Sequence, residues 1–152
     1  MEFKQEINAV EPRINVYFVV VGEEYSKEYL SKKLNLVPSR FRTKDDWPET
    51  IKNWPVHNPN LPDEYKPRTV WEISTGYDEC WAVKLQLKKL LQKLEGKEVV
   101  INQLRKELNL STHIQVSIET TVNFPEVYLD PESIEFLVKI DASICFGFFW
   151  PT

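Results

Sequence analysis

Hydrophobic and polar positions alternate, or form short apolar runs, in four parts of the chain. The run INVYFVVVG is apolar, rich in β-branched residues and closed by Gly22, which predicts a buried central strand. In RTVWEIST, Trp71 and Ile73 fall on one face and polar residues fall on the other. THIQVSIETTV alternates throughout, as a half-buried antiparallel strand does, and ASICFGFFW places its aromatic residues mainly on one side. The predicted strands cover residues 14–22, 68–75, 112–122 and 142–150.

A period of three to four residues marks the helices between these strands. Ser26 is the expected N-cap of a short helix, and Asp130, followed by proline, begins another. Between them, Asp78 is expected to cap the longest helix, which Gly96 ends. A further helix follows and ends at Asn109, so these two are expected to pack as an antiparallel hairpin. The apolar positions expected to face the core are Cys80, Val83, Leu87, Leu90 and Leu94, then Ile101, Leu104 and Leu108, and finally Ile134, Leu137 and Val138.

The order of elements predicts a single α+β domain over residues 1–152, with residues 1–13 as an N-terminal extension. Since the third strand alternates polar and apolar residues, we expect a four-stranded, mainly antiparallel sheet with its helices on one face. The specific topology predicted is a ferredoxin-like variant with an inserted helical hairpin.

Residues 39–67, SRFRTKDDWPETIKNWPVHNPNLPDEYKP, break this pattern with prolines and two Trp-Pro pairs. Such a long stretch without periodicity usually carries function or is disordered. Because indoles are costly to leave in water, we expect an ordered loop that buries Trp47 and Trp54 on the sheet face away from the helices. A binding loop with aromatic anchors is the alternative, and the two roles are compatible. The candidate binding residues are Arg40, Arg42, Trp47, Trp54, His57, Arg68 and Glu72.

Charge and composition exclude several classes of function. The net charge of −4 argues against a general polyanion binder, so the lysines at 84, 88, 89 and 93 are interpreted as a solvated helix face and no nucleic-acid partner is expected. No apolar stretch is long enough to span a membrane and no secretion signal is present, which predicts a cytoplasmic protein without a membrane partner. His57 and His113 are too isolated for a metal site, and Cys80 is interpreted as a core cysteine. We expect no metal, no cofactor and no catalytic residue.

Three segments resemble a known bacterial family, the domain of unknown function 4279. They are FVVVGEEYSKEYLSKKLNLVPS, WEIST followed by GYDE, and VYLDPESIEFLVKIDASICFGFF. The resemblance runs from about residue 14 to residue 149 and implies a small bacterial protein of α+β type. It transfers no activity and no site residue. The chain departs from the family pattern in its longer, Trp-Pro-rich residues 39–67 and in a less acidic last strand.

These observations favour a non-catalytic interaction protein whose partner is another protein, such as an adaptor or an immunity-type inhibitor. The alternative is a small-ligand binder or an enzyme that uses a cleft between residues 39–67 and the sheet. RNA binding through the lysine face is a third, weaker hypothesis. A deep pocket with convergent Arg, His and carboxylate groups would favour the alternative, whereas a flat aromatic patch would favour a protein partner.

Overall fold

The structure, a computed structural model, describes residues 11–151, so most of the predicted N-terminal extension lies outside the described residues. Six strands form one open sheet in the spatial order β2-β3-β1-β5-β6, and the short β4 pairs with the beginning of β1. All pairs are antiparallel except β5 and β6, which are parallel. The strands are β1 Arg13–Gly22, β2 Arg40–Arg42, β3 Thr69–Ser74, β4 Asp78–Glu79, β5 Ser111–Glu119 and β6 Ser143–Phe149.

The helices begin and end where the sequence places their caps, with one exception. Ser26 Oγ accepts a hydrogen bond from the Tyr29 N–H at 3.2 Å, and Asp130 Oδ1 accepts one from the Ser133 N–H at 2.8 Å. Asn109 adopts the left-handed conformation that closes its helix. The helices are α1 Lys27–Leu34, α2 Glu49–Lys52, α3 Trp54–His57, α4 Val83–Leu94, α5 Glu98–Leu108 and α6 Pro131–Lys139.

The exception is the start of the longest helix, where the prediction that Asp78 is its cap is wrong. Helix α4 begins only at Val83, and Asp78 belongs to β4. The intervening chain stays extended because the backbone of Trp81 and Val83 bonds to Glu126 from the loop after β5. Cys80 therefore precedes the helix, where it is partly buried against the core rather than lying in a first helical turn.

The core fills one side of the sheet, between the strands and helices α1, α4, α5 and α6. Trp71 is fully buried, meets Phe18 edge to face at 6.4 Å and donates its Nε1–H to Ser31 Oγ at 3.0 Å. The predicted stripe of α4 is confirmed, since its members from Val83 onward have no exposed area. They are Val83, Leu87, Leu90 and Leu94.

The topology differs from the ferredoxin-like arrangement predicted. The sheet has six strands instead of four, and its parallel strands β5 and β6 are immediate neighbours, whereas a split βαβ unit keeps another strand between its parallel pair. Helices α4 and α5 also do not form the expected close hairpin, because α4 packs beside α6 and α5 packs beside α1. The apolar residues Ile101 and Leu104 of α5 line a small cavity together with Phe18 and Leu30.

Candidate functional site

Residues 39–67 are built of short ordered pieces rather than one structureless loop. They contain β2, which pairs with β3, two 3-10 turns at Lys44–Asp46 and Asp63–Tyr65, and the single-turn helices α2 and α3. The Asp46 carboxylate accepts a hydrogen bond from the Thr43 N–H at 2.8 Å, and this bond lowers the pKa of Asp46. Sequence periodicity missed β2 because a three-residue strand is too short to show an alternation.

Most of the candidate residues meet where β2 pairs with β3. Arg40 lies opposite Glu72 in the register, on the sheet face away from the helices. The Arg42 guanidinium lies over the Trp47 ring, 4.2 Å from its centroid, and Trp47 Nε1–H donates to the carbonyl of Arg68 at 2.7 Å. Burial raises the pKa of Glu72, while Arg40 and Arg42 oppose that rise. We call this group, Arg40, Arg42, Trp47, Arg68 and Glu72, the arginine corner.

Trp54 and His57 do not join the arginine corner, since both are exposed in α3. The prediction that Trp54 is buried is wrong, because 44% of it is exposed, and Trp47 is only partly buried. Helix α3 is one turn long, with local backbone bonds such as that from Asn58 N–H to the Trp54 carbonyl. Residues 39–67 thus place one indole, not two, against the outer strands of the sheet.

The sheet face away from the helices is largely polar beyond the arginine corner. Asn15 Nδ2 donates to the Tyr17 hydroxyl at 2.8 Å, and Arg13 pairs with Glu119 at 3.2 Å. Burial raises the pKa of Tyr17 and lowers that of His113. Within residues 11–151, no group of three or more His, Cys, Asp or Glu side chains is placed to hold a metal ion. These groups supply hydrogen bonds and charge, so this face suits a polar ligand.

A groove lies on the other side of the molecule, between α4 and α6. Its volume is about 330 Å³. Leu91 and Phe136 form its apolar wall, and carboxylates such as those of Glu95 and Glu132 also line it. None of the candidate residues predicted from the sequence lines this groove. It therefore gives no support to a cleft between residues 39–67 and the sheet.

The last strand is a surface that sequence reasoning did not select as a site. β6 is at the end of the sheet, and in the described part of the chain no strand pairs with its outer edge. Phe148, Phe149 and Trp150 are half-exposed or more, and residues 142–151 contain no charged side chain. We call the outer edge of β6, with exposed Phe146, Phe148, Phe149 and Trp150, the β6 edge surface.

The two ends of the sheet differ in the protection expected of edge strands. β2 at the opposite end has three residues and carries Arg40 and Arg42, and short length and charge both discourage pairing with another chain. β6 has seven residues and no charge. The uncharged run FGFFW was the available sequence signal, but it indicates an interface only once β6 is known to lie at an edge.

Helix α6, which connects β5 to β6, also exposes apolar residues. Ile134 and Val138 were predicted to face the core, but they are exposed, and the buried residues are Ser133 and Leu137. Phe136 and Lys139 line the groove toward α4, so Ile134 and Val138 lie on the opposite flank of α6 by helical spacing. Helix α4 packs against β1 and beside α6, and β1 lies on the far side of β5 from β6, so the flank of α6 that faces away from α4 is the one nearer β6.

An open, mixed sheet with helices on one face, and with an aromatic end strand whose outer edge no described strand covers, defines an α+β protein. The chain belongs to the family described as Domain of unknown function (DUF4279), whose model matches residues 12–147. A comparison with curated proteins and with solved structures finds no match. In the described part of the chain, no helix has the length and apolar character needed to cross a membrane.

Proposed function

We propose that this protein is a non-catalytic binding domain that takes up an extended segment of a protein partner at the β6 edge surface. The observation that carries the proposal is an uncharged, aromatic strand whose outer edge is unpaired within the described residues. Strand addition at a free sheet edge is a common mode of peptide recognition, in which backbone bonds supply affinity and alternate side chains supply specificity. Its proposed role is that of an adaptor or an immunity-type inhibitor in the cytoplasm of a bacterium.

The backbone of β6 is oriented for such an addition. The Phe149 carbonyl accepts a hydrogen bond from the Thr120 N–H, so Phe149 directs its backbone groups toward the interior of the sheet. Because successive residues of a strand direct these groups to opposite sides, Ile144, Phe146 and Phe148 direct theirs outward. A partner strand would satisfy these outward groups and would cover the neighbouring aromatic rings.

A peptide-display selection tests the proposal. Random ten-residue peptides are selected against the protein, and the enriched peptides are expected to alternate apolar residues. When bound, they should slow hydrogen exchange at the amides of Ile144, Phe146 and Phe148. Phe148→Lys should weaken binding at least tenfold, because it puts a charge beside the added strand. Val56→Lys is the matched control, since Val56 is also an exposed apolar residue but lies in α3.

Peptides that protect β2 and β3 instead of β6, and bind Phe148→Lys unchanged, would refute the proposal. That result would favour the second candidate, a small-ligand site at the arginine corner. The observation behind the second candidate is the partly buried Glu72, whose pKa is raised by burial beside Arg40 and Arg42. Titration with citrate tests it directly: shifts in the side-chain resonances of Arg40 and Arg42 are expected, and these should disappear in Arg40→Gln.

A further inference from the structure

We infer that the strand added to β6 is β6 of a second copy of this chain, paired antiparallel about a two-fold axis at Phe146. The inference rests on the proposed function, since it names the partner of the same edge. It joins two open sheets into one continuous sheet with the helices of both copies on the same face. Such an isologous contact requires β6 to be complementary to itself.

The backbone of β6 meets this requirement in one register. With the axis at Phe146, Phe146 faces its own copy and Ile144 faces Phe148 of the partner subunit. Each of these outward-facing residues then exchanges both of its hydrogen bonds with the residue opposite. A shift of the axis by one residue along the strand leaves Ile144 or Phe148 without a partner inside Ser143–Phe149. The central register therefore satisfies the most backbone groups.

The side chains are complementary in the same register. On the helix side, the apolar Ile144 meets an aromatic ring and Phe146 meets its symmetry mate. On the other side, Cys145 faces Gly147, and the Phe149 ring of the same copy as that glycine fills the space that a side chain at position 147 would take. Like charges facing each other destabilise paired strands, and β6 has none to bring together.

The apolar flank of α6 supplies a second contact. Because strands lie about 4.8 Å apart, helices that cover the last two strands of each sheet would lie roughly 10 Å from each other across the axis. That is the spacing of packed helices, and Ile134 and Val138 are the residues on that flank. Together with the aromatic residues of β6 they expose apolar surface on the order of 600 Å², against about 800 Å² per partner in a standard interface.

This symmetry favours a second copy of the chain over a foreign strand as the partner of the β6 edge surface. A foreign segment would fill the edge of β6, but nothing in such a pairing would cover Ile134 and Val138, which are exposed although apolar. The two-fold arrangement covers both surfaces at once. Sedimentation of the full chain is therefore expected to give a mass about twice 18.0 kDa at micromolar concentration.

Disulfide cross-linking tests the register. Phe146→Cys in a Cys145→Ser background places two thiols across the axis at a Cα separation of about 5.5 Å, within the range that a disulfide spans. Phe148→Cys in the same background is the control, because its two copies lie about four residues apart along the strands, roughly 13 Å. Oxidation should give a covalent dimer at least tenfold faster for the cysteine at 146.

A charge at the centre supplies an independent readout. Phe146→Lys should sediment as a monomer with a wild-type circular dichroism spectrum, while Val56→Lys remains a dimer. Equal rates of disulfide cross-linking for the cysteines at 146 and 148 would overturn the inference. So would a wild-type protein that sediments as a monomer at about 100 µM. A monomer that still binds selected peptides at β6 would leave the proposed function standing, whereas a monomer that binds none would remove both.

Discussion

Replacing Leu87 with alanine should remove a large part of the stability of this fold. Leu87 has no exposed area and lies in the middle of the buried stripe of α4, the helix that packs against β1. Leu90 and Leu94 beside it are equally buried. The side chain is therefore surrounded by the rigid sheet on one side and by other core residues on the others, so the site has little freedom to collapse.

Two contributions set the size of the effect. Removing three buried carbon atoms costs about 2.4 kcal/mol, at about 0.8 kcal/mol for each methylene. If the neighbours do not move, a cavity of roughly 80 Å³ adds about 2 kcal/mol, at about 24 cal/mol per Å³. The expected loss in the free energy of unfolding is about 4 kcal/mol. Complete relaxation of the site would reduce it to the first contribution alone.

Urea unfolding followed by tryptophan fluorescence measures this loss. With a slope of about 2 kcal/mol per molar, the midpoint of Leu87→Ala should fall by about 2 M. Leu85→Ala is the matched control on the same helix, because 53% of Leu85 is exposed, and it should change stability by no more than about 0.5 kcal/mol. Equal losses for the two variants, or a loss below about 1 kcal/mol for Leu87→Ala, would refute the assignment of the buried face.

Three further predictions concern polar groups. Gln86→Leu should lower the free energy of unfolding, measured in urea, by about 1–3 kcal/mol, because the buried Gln86 amide donates a hydrogen bond to Asp78 at 2.8 Å. The pKa of Asp78, followed by NMR, should rise in this variant, and Gln92→Leu at an exposed position is the control. Burial lowers the pKa of His113, so the folded state binds fewer protons than the unfolded state and stability should fall as the pH drops below 6.5. His113→Gln should lessen that fall, and a variant with the wild-type dependence of stability on pH would contradict this prediction. Gel shifts should show only weak binding of nucleic acid, because Lys89 of α4 pairs with Asp78 at 3.3 Å and the chain is acidic; salt-sensitive submicromolar binding would disprove this.

Local sequence determined the longer elements of this protein. The alternation in β3 and β5 defines which residues face the core, because a strand turns successive side chains to opposite sides, and the apolar run of β1 marks a central strand. The leucine spacing of α4 and the caps Ser26 and Asp130 are equally local, since they depend on groups a few residues apart. The α+β class followed from these elements.

Tertiary structure decided where elements that lack a local signature begin and which surfaces remain exposed. The start of α4 depends on a bridge to Glu126, which is distant in sequence, and β2 exists because β3 pairs with it. For the candidate site, the register brought Arg40 to Glu72 and left Trp54 outside, although both came from one segment.

The β6 edge surface is the clearest case of a property that the sequence by itself does not contain. The sequence FGFFW is as compatible with a buried central strand as with an edge strand, because an apolar run has the same pattern whether one or two strands lie beside it. The position of a strand in a sheet is a relation among distant segments. Only the strand order, with β5 on one side of β6 and no described strand on the other, turned these aromatic residues from core into surface.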